Sequence, residues 1–151
     1  MFCLRYPEEC EVSRITSRRG RIGLSDASRT KLITVNIAVN RAIAPRRKST
    51  NVLESNWVIS PLNGDCNDYA ITKRHALHAL GWPLRSLLLA EVITSLGEHH
   101  LVLVVRTRKG DFVLDNLAPT VHHWYESNYR WVRMQSPNNP KLWWEIHTMT
   151  S

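Results

Sequence analysis

The sequence predicts an α+β domain in which helices come first and an antiparallel set of strands follows. Two stretches of helical periodicity fall within residues 28–81, strand-like apolar runs occupy much of 84–134, and a turn sequence joins two of those runs head to tail. With 151 residues, 43% of them hydrophobic and 22% charged, the chain suits one domain, 1–151, with a sizeable core.

Residues 1–23 lack apolar periodicity and are rich in Arg, Ser and Gly, which reads as an arm laid over the surface. From Ser28 to Ala44, Leu32, Val35, Val39 and Ile43 recur every three or four positions, predicting an amphipathic helix that Pro45 ends. A polar loop, "RRKSTNVLESN", leads through "WVISPL" to "NGDCNDYAITKRHALHALGWP". There Tyr69, Ala70, Leu77 and Leu80 can share one helix face, with Gly81 and Pro83 as the stop. "LRSLLLAEVIT" and "HHLVLVVRT" read as strands, the second apolar enough to be buried on both faces. "RKGDFVLDN" folds that strand back as a hairpin, and "YRWVRM" alternates like one more strand in an aromatic-rich last third.

The net charge is +7, and it sits at the front: residues 1–60 hold eleven Lys/Arg against five Asp/Glu, and 61–151 hold nine against eight. "SRRGR" and "APRRKS" are not interleaved with aromatic residues or glycine as in an RNA-binding module, so a solvated basic face is expected rather than a nucleic-acid site. A non-catalytic basic binding module is the rival class, and it predicts partner binding that weakens steeply with salt. No apolar run reaches the roughly 20 residues of a membrane span, and "MFCLRYPEEC" lacks the apolar core of a signal peptide. Cys3 and Cys10 stand near each other in sequence, either as a short disulfide loop of an oxidising compartment or as two unrelated thiols. Cys66 is the odd one out and a candidate nucleophile.

A free thiol is mostly protonated at neutral pH, and the N–H groups and dipole of a helix start favour its thiolate. Cys66 stands at such a start, but Asp65 and Asp68 bring opposing charge even as either could cap the helix, so a histidine partner is needed. His75 and His78 lie at i and i+3 on that helix and suit a solvated face better than a metal site. His122, His123 and His147 fall in expected loop or surface positions. His99 and His100 open the apolar strand whose hairpin partner carries Asp115. A four-residue loop, Thr107 to Gly110, pairs Arg106 with Asp111 and hence Val102 with Asp115. This sets His100 diagonally across from Asp115, with Cβ atoms roughly 7 Å apart, and turns His99 to the other face. Cys66, His100 and Asp115 thus form a candidate nucleophile, base and orienting acid.

"FCLRYPEEC", "VNIAVNR", "GDCNDYAITKRHALHALGWP", "HHLVLVVRTRKGDFVLDNL" and "YRWVRMQSP", in that order, resemble the bacterial transglutaminase-like cysteine proteinases, relatives of periplasmic proteases that release surface adhesins. The resemblance implies a papain-like, transglutaminase-like fold, with the nucleophile at a helix N-terminus packed on an antiparallel sheet. It implies Cys66 as nucleophile, His100 as base, Asp115 as orienting acid, and a pairing of Cys3 with Cys10. The implied reaction is hydrolysis of peptide bonds in a protein substrate, one at the cell surface or in the periplasm, through a thioester. Transglutaminase or amidase-type acyl transfer on the same residues is the alternative. It also implies a periplasmic or secreted protein, although family members generally carry an export signal and none is visible here. The Cys66 N–H is the natural first oxyanion donor, and the Trp57 indole, a donor only, is the candidate second against a core role. The chemistry itself needs no cofactor. Some relatives bind calcium through the acids flanking the nucleophile. With Asn67 where the family has glutamate, Asp65, Asn67 and Asp68 would form a weakened calcium site.

Overall fold

The computed structural model describes residues 2–12, 21–47 and 57–147. Helix α1 (Phe2–Arg5) and a 3-10 turn (Pro7–Cys10) precede helices α2 (Asp26–Ala42) and α3 (Cys66–Ala79). The strands are β1 (Ala44–Pro45), β2 (Asn63–Gly64), β3 (Leu87–Ile93), β4 (His99–Thr107), β5 (Gly110–Leu114), β6 (His122–His123), β7 (Arg130–Gln135) and β8 (Trp143–Glu145).

Helix α2 begins two residues before the expected Ser28. The Ser25 hydroxyl accepts the Ser28 N–H at 3.2 Å and the Ser28 hydroxyl accepts the Ser25 N–H at 2.8 Å, a reciprocal cap that extends the helix start. The helix ends at Ala42, because Ala44 and Pro45 leave it to pair in parallel with Asn63 and Gly64 of β2. That pairing sets the approach of the chain to α3. Helix α3 stops as expected: Gly81 takes φ +96°, and the N–H groups of Leu80, Gly81 and Trp82 reach back to carbonyls of the last turn.

The main sheet runs β6-β5-β4-β3-β7-β8, every neighbouring pair antiparallel. Strand β4, apolar through most of its length, is interior to this sheet and buried from His100 to Val105. Arg106 pairs with Asp111 and Thr107 with Gly110, so the register inferred from the hairpin loop is the one adopted. Strand alternation divides the apolar side chains. Leu87, Leu89, Leu101, Leu103, Val105, Phe112 and Leu114 join the buried residues of α2 and α3 in one cluster. Ala90, Val92, Val102, Val104 and Val113 form a second with Trp131.

The front of the chain is fastened to α3. Cys3 and Cys10 form a disulfide with Cα atoms 5.6 Å apart. Beside it Glu9 is buried: its carboxylate accepts a hydrogen bond from Arg74 Nη1 at 2.9 Å and lies 2.5 Å from His75 Nδ1. Arg74, also buried, bonds the Glu9 and Leu87 carbonyls at 2.8 and 3.0 Å. Breaking a buried pair strands the remaining charge. Glu9→Ala is therefore expected to cost about 3 kcal/mol and lower the thermal midpoint by about 6–12 °C. Adding Arg74→Met should recover part of that loss in calorimetry; a Glu9→Ala midpoint within about 2 °C of wild type would show that the pair does not brace the fold.

Candidate active site

The start of α3 is built from the "GDCND" segment. Asp65 caps the helix, its Oδ1 accepting the Asn67 N–H at 3.0 Å. Asp68 reaches back, with Oδ2 accepting the Asp65 N–H at 3.0 Å and Oδ1 accepting the Val58 N–H at 2.8 Å. This packing needs Gly64, where a Cβ would lie 2.6 Å from Asp68 Oδ2 and 2.7 Å from Asp68 Cβ. Segment 57–60 is stitched along the helix by that bond and by the Ser60 N–H, which donates to Thr72 Oγ1 at 2.9 Å. The Tyr69 hydroxyl donates to the Ile43 carbonyl at 2.6 Å and locks α3 to the end of α2.

Cys66 is the first residue of α3 and is 9% exposed. Its thiol lies 3.9 Å from Asn67 Oδ1 and interacts electrostatically with His100, the second residue of β4. His100 Nε2 is 2.7 Å from Asp115 Oδ1, immediately beyond β5, which leaves Nδ1 clear of the carboxylate. His99 turns away as expected and meets Glu91 Oε1 at 2.8 Å on the exposed side. Asp115 is further held by the Leu117 N–H on Oδ1 at 2.9 Å and the Tyr129 hydroxyl on Oδ2 at 2.6 Å. Asn40 Nδ2 donates to the Asp115 carbonyl at 3.1 Å.

The electrostatics favour an imidazolium. Burial alone would push His100 down, but the hydrogen bond and charge of Asp115 and the contact with Cys66 outweigh it and lift its pKa to about 9. Asp115 is pulled below the ordinary carboxylate range: burial opposes this, and His100, the Tyr129 hydroxyl and the Leu117 N–H prevail. Tyr129 is pushed up, by burial first and then by Asp115, and remains a hydrogen-bond donor. Nothing in the sequence pattern singles out Tyr129, because its partner is brought to it only by the sheet.

The acids flanking Cys66 serve the helix start. Asp68 accepts two backbone N–H groups, its Oδ2 is 3.5 Å from Arg46 Nη2, and Asp65 is occupied as the cap. Calcium takes six to eight oxygens, several from free carboxylates. So arranged, the Asp65 and Asp68 carboxylates already hold backbone N–H groups and the Arg46 guanidinium, and among the described residues no cluster of three His, Cys, Asp or Glu is placed to hold a metal ion. Asp68 is nonetheless shifted upward, by burial first, with the backbone N–H groups and Arg46 opposing it.

The other histidines are used locally. His75 pairs with Glu9, and His78 Nδ1 is 2.9 Å from the Trp82 carbonyl, so the expected solvated helix face is tied down at both positions. His122 and His123, expected in a loop, form β6 against Phe112 and Val113. His147 is exposed. Trp57 is half-buried with its ring 5.6 Å from Phe2. Of the basic stretches, residues 17–20 and 48–49 lie outside the described residues, while Arg21 bonds the Thr107 carbonyl and pairs with Asp111.

A helix-borne thiol beside a His–Asp pair on an antiparallel sheet defines a cysteine-dependent acyl-transfer class. The chain belongs to the bacterial transglutaminase-like cysteine proteinases, whose family model matches residues 1–151, and it is a cysteine protease. Calcium-bound LapG of Legionella pneumophila superposes with a TM-score of 0.65 at 21% identity, covering 81% of this chain and 73% of LapG. EGTA-treated LapG gives 0.61 at 23% identity, over 81% and 69% of the two chains. A further LapG structure gives 0.64 at 23%, over 78% and 68%. These likenesses establish a shared transglutaminase-like fold. No curated protein matches the chain. Among the described residues no helix is long and apolar enough to cross a membrane.

Proposed function

We propose that this protease hydrolyses peptide bonds of a protein substrate with Cys66 as nucleophile, His100 as general base and acid, and Asp115 as the orienting acid. One observation carries the reading: a buried thiol at a helix start that interacts with an imidazole, one nitrogen of which is 2.7 Å from a buried carboxylate. The Cys66 thiolate attacks the scissile carbonyl carbon, and the tetrahedral oxyanion collapses as His100 delivers its proton to the leaving amine, leaving a thioester. Water then attacks the thioester while His100 takes its proton, and the acid product and thiol are released. The Cys66 N–H, free of an intrahelical acceptor at the first helical position, is the first oxyanion donor, and the Trp57 indole is carried as the second.

The Cys3–Cys10 disulfide supports action in an oxidising compartment, the periplasm or outside the cell, on a periplasmic or cell-surface protein. LapG is known in a calcium-bound form. In this chain the Arg46 guanidinium beside Asp68 supports activity that does not depend on calcium.

Hydrolysis and transamidation share these residues and differ in whether water or an amine resolves the thioester. Digestion of an unfolded test protein with a labelled small amine present is expected to yield cleaved, unlabelled fragments, with the same rate in EGTA as in added calcium. Incorporation of the amine in preference to cleavage would convert the reading to a transglutaminase. A tenfold or greater loss in EGTA, restored by calcium, would overturn the metal-independent part.

A further inference from the structure

We infer that Tyr129 is a positioning residue for the reaction: its hydroxyl fixes the Asp115 carboxylate and its ring fixes the His100 imidazole, so one side chain holds both members of the pair. The inference rests on the Cys66–His100–Asp115 reading above.

The contacts divide the work. The Tyr129 hydroxyl donates to Asp115 Oδ2 at 2.6 Å, while Oδ1 accepts the Leu117 N–H at 2.9 Å and faces His100 Nε2 at 2.7 Å. With both oxygens held, the carboxylate cannot turn without breaking a hydrogen bond. The Tyr129 ring meets the imidazole edge-on, with centroids 5.8 Å apart and planes at 71°. That contact restrains the ring that must receive and return the proton.

The backbone is built to bring Tyr129 there. Strand β7 pairs Met134 with Ala90 and Arg133 with Glu91, and then Trp131 with Val92, so Val132 is passed over as a bulge. Strict alternation from Met134 would turn Val132 and Arg130 to the face that carries Ala90 and Val92, and Trp131 and Tyr129 to the opposite face. The extra residue reverses this. Trp131 stands across from Val92, which is itself paired with His100, and Trp131 and Tyr129 both pack with the cluster of Ala90, Val92 and Val102. The Ile146 N–H donates to the Val132 carbonyl at 2.8 Å and holds the passed-over residue. A phenylalanine would fill the ring's place equally well. The hydroxyl adds only the bond to Asp115, which points to a role in orienting the acid.

The test compares wild type, Tyr129→Phe and Tyr129→Leu in the whole chain, by cleavage of an unfolded test protein and by the NMR resonance of the proton shared between His100 and Asp115, which needs no substrate. Tyr129→Phe keeps the ring. It should lower kcat about tenfold at unchanged KM, because Tyr129 touches the pair and not the substrate. Its thermal midpoint should stay within about 2–4 °C of wild type. The shared-proton resonance should move downfield, since a carboxylate relieved of the phenol holds the imidazole proton more tightly. Tyr129→Leu should lose about tenfold more and broaden that resonance as the imidazole loosens; the Tyr129→Phe results decide alone if Tyr129→Leu does not fold. A Tyr129→Phe kcat within twofold of wild type, a loss confined to KM, or an unmoved resonance would overturn the inference. The triad reading fails by a different result, proteolysis surviving Cys66→Ala, so the two can be told apart.

Discussion

Cys66→Ala is expected to reduce kcat/KM for protein cleavage by at least about 10,000-fold while leaving the fold intact. The residue is small and sits one position inside a helix whose cap, Asp65, and brace, Asp68, are untouched by the change. The thermal midpoint should therefore stay within about 2–4 °C of wild type. His100→Ala is expected to cost as much as Cys66→Ala, and the double variant little more, because nucleophile and base act as a unit. The check is paired: release of peptides from an unfolded protein, and covalent labelling by a small thiol-reactive probe. With Cys3 and Cys10 joined, Cys66 is the free thiol, so labelling reports on it alone. Labelling of native wild type no faster than of denatured protein would end the catalytic assignment.

Asp115→Asn should lower kcat by about 1,000- to 10,000-fold and also move the alkaline limb of the pH profile. The direction follows from what holds the His100 proton. Burial opposes the proton, and the Asp115 carboxylate with Cys66 overcomes burial to give a pKa of about 9. Removing the Asp115 charge returns weight to burial, so the limb should fall below 9. A stability effect accompanies it. Because the folded His100 value lies above its unfolded value of 6.5, its contribution is complete below 6.5 and is lost as pH rises through about 9. Asp115 runs the other way: its folded value is depressed, so its contribution is lost as pH falls through that value. An Asp115→Asn enzyme with an unmoved alkaline limb would show that the carboxylate does not set the His100 proton affinity. Tyr129→Phe removes only a neutral donor to Asp115 and should cost much less.

The parts of this site that the sequence discloses are those fixed by local rules. Helical spacing around Tyr69 and Leu77, with Gly81 as stop, locates α3 and leaves Cys66 at its start. Counting back from the turn at Arg108 and Lys109 aligns β4 with β5 and separates His100 from His99. What the sequence hides depends on contacts between distant segments. Glu9 and Arg74 carry no signal of their pairing until the disulfide loop is folded against α3. Tyr129 and Asn40 reach Asp115 from separate elements, so no spacing rule joins them. Strands β6 and β8, two and three residues long, are too short for alternation to show, and their His and Trp residues suit a loop equally well.

The space at Gly64 has a consequence for genetics. Any larger residue there would meet Asp68, release the Asp65 N–H and loosen the helix that presents Cys66. Substitutions at position 64 should therefore score among the null alleles in a loss-of-function screen, beside those at 66, although residue 64 has no part in bond cleavage. Melting curves would separate the two groups: Gly64 alleles should unfold early, whereas Cys66→Ala should not. "GDC" is thus one mechanical piece, in which the glycine makes room, the aspartate caps and the cysteine is presented.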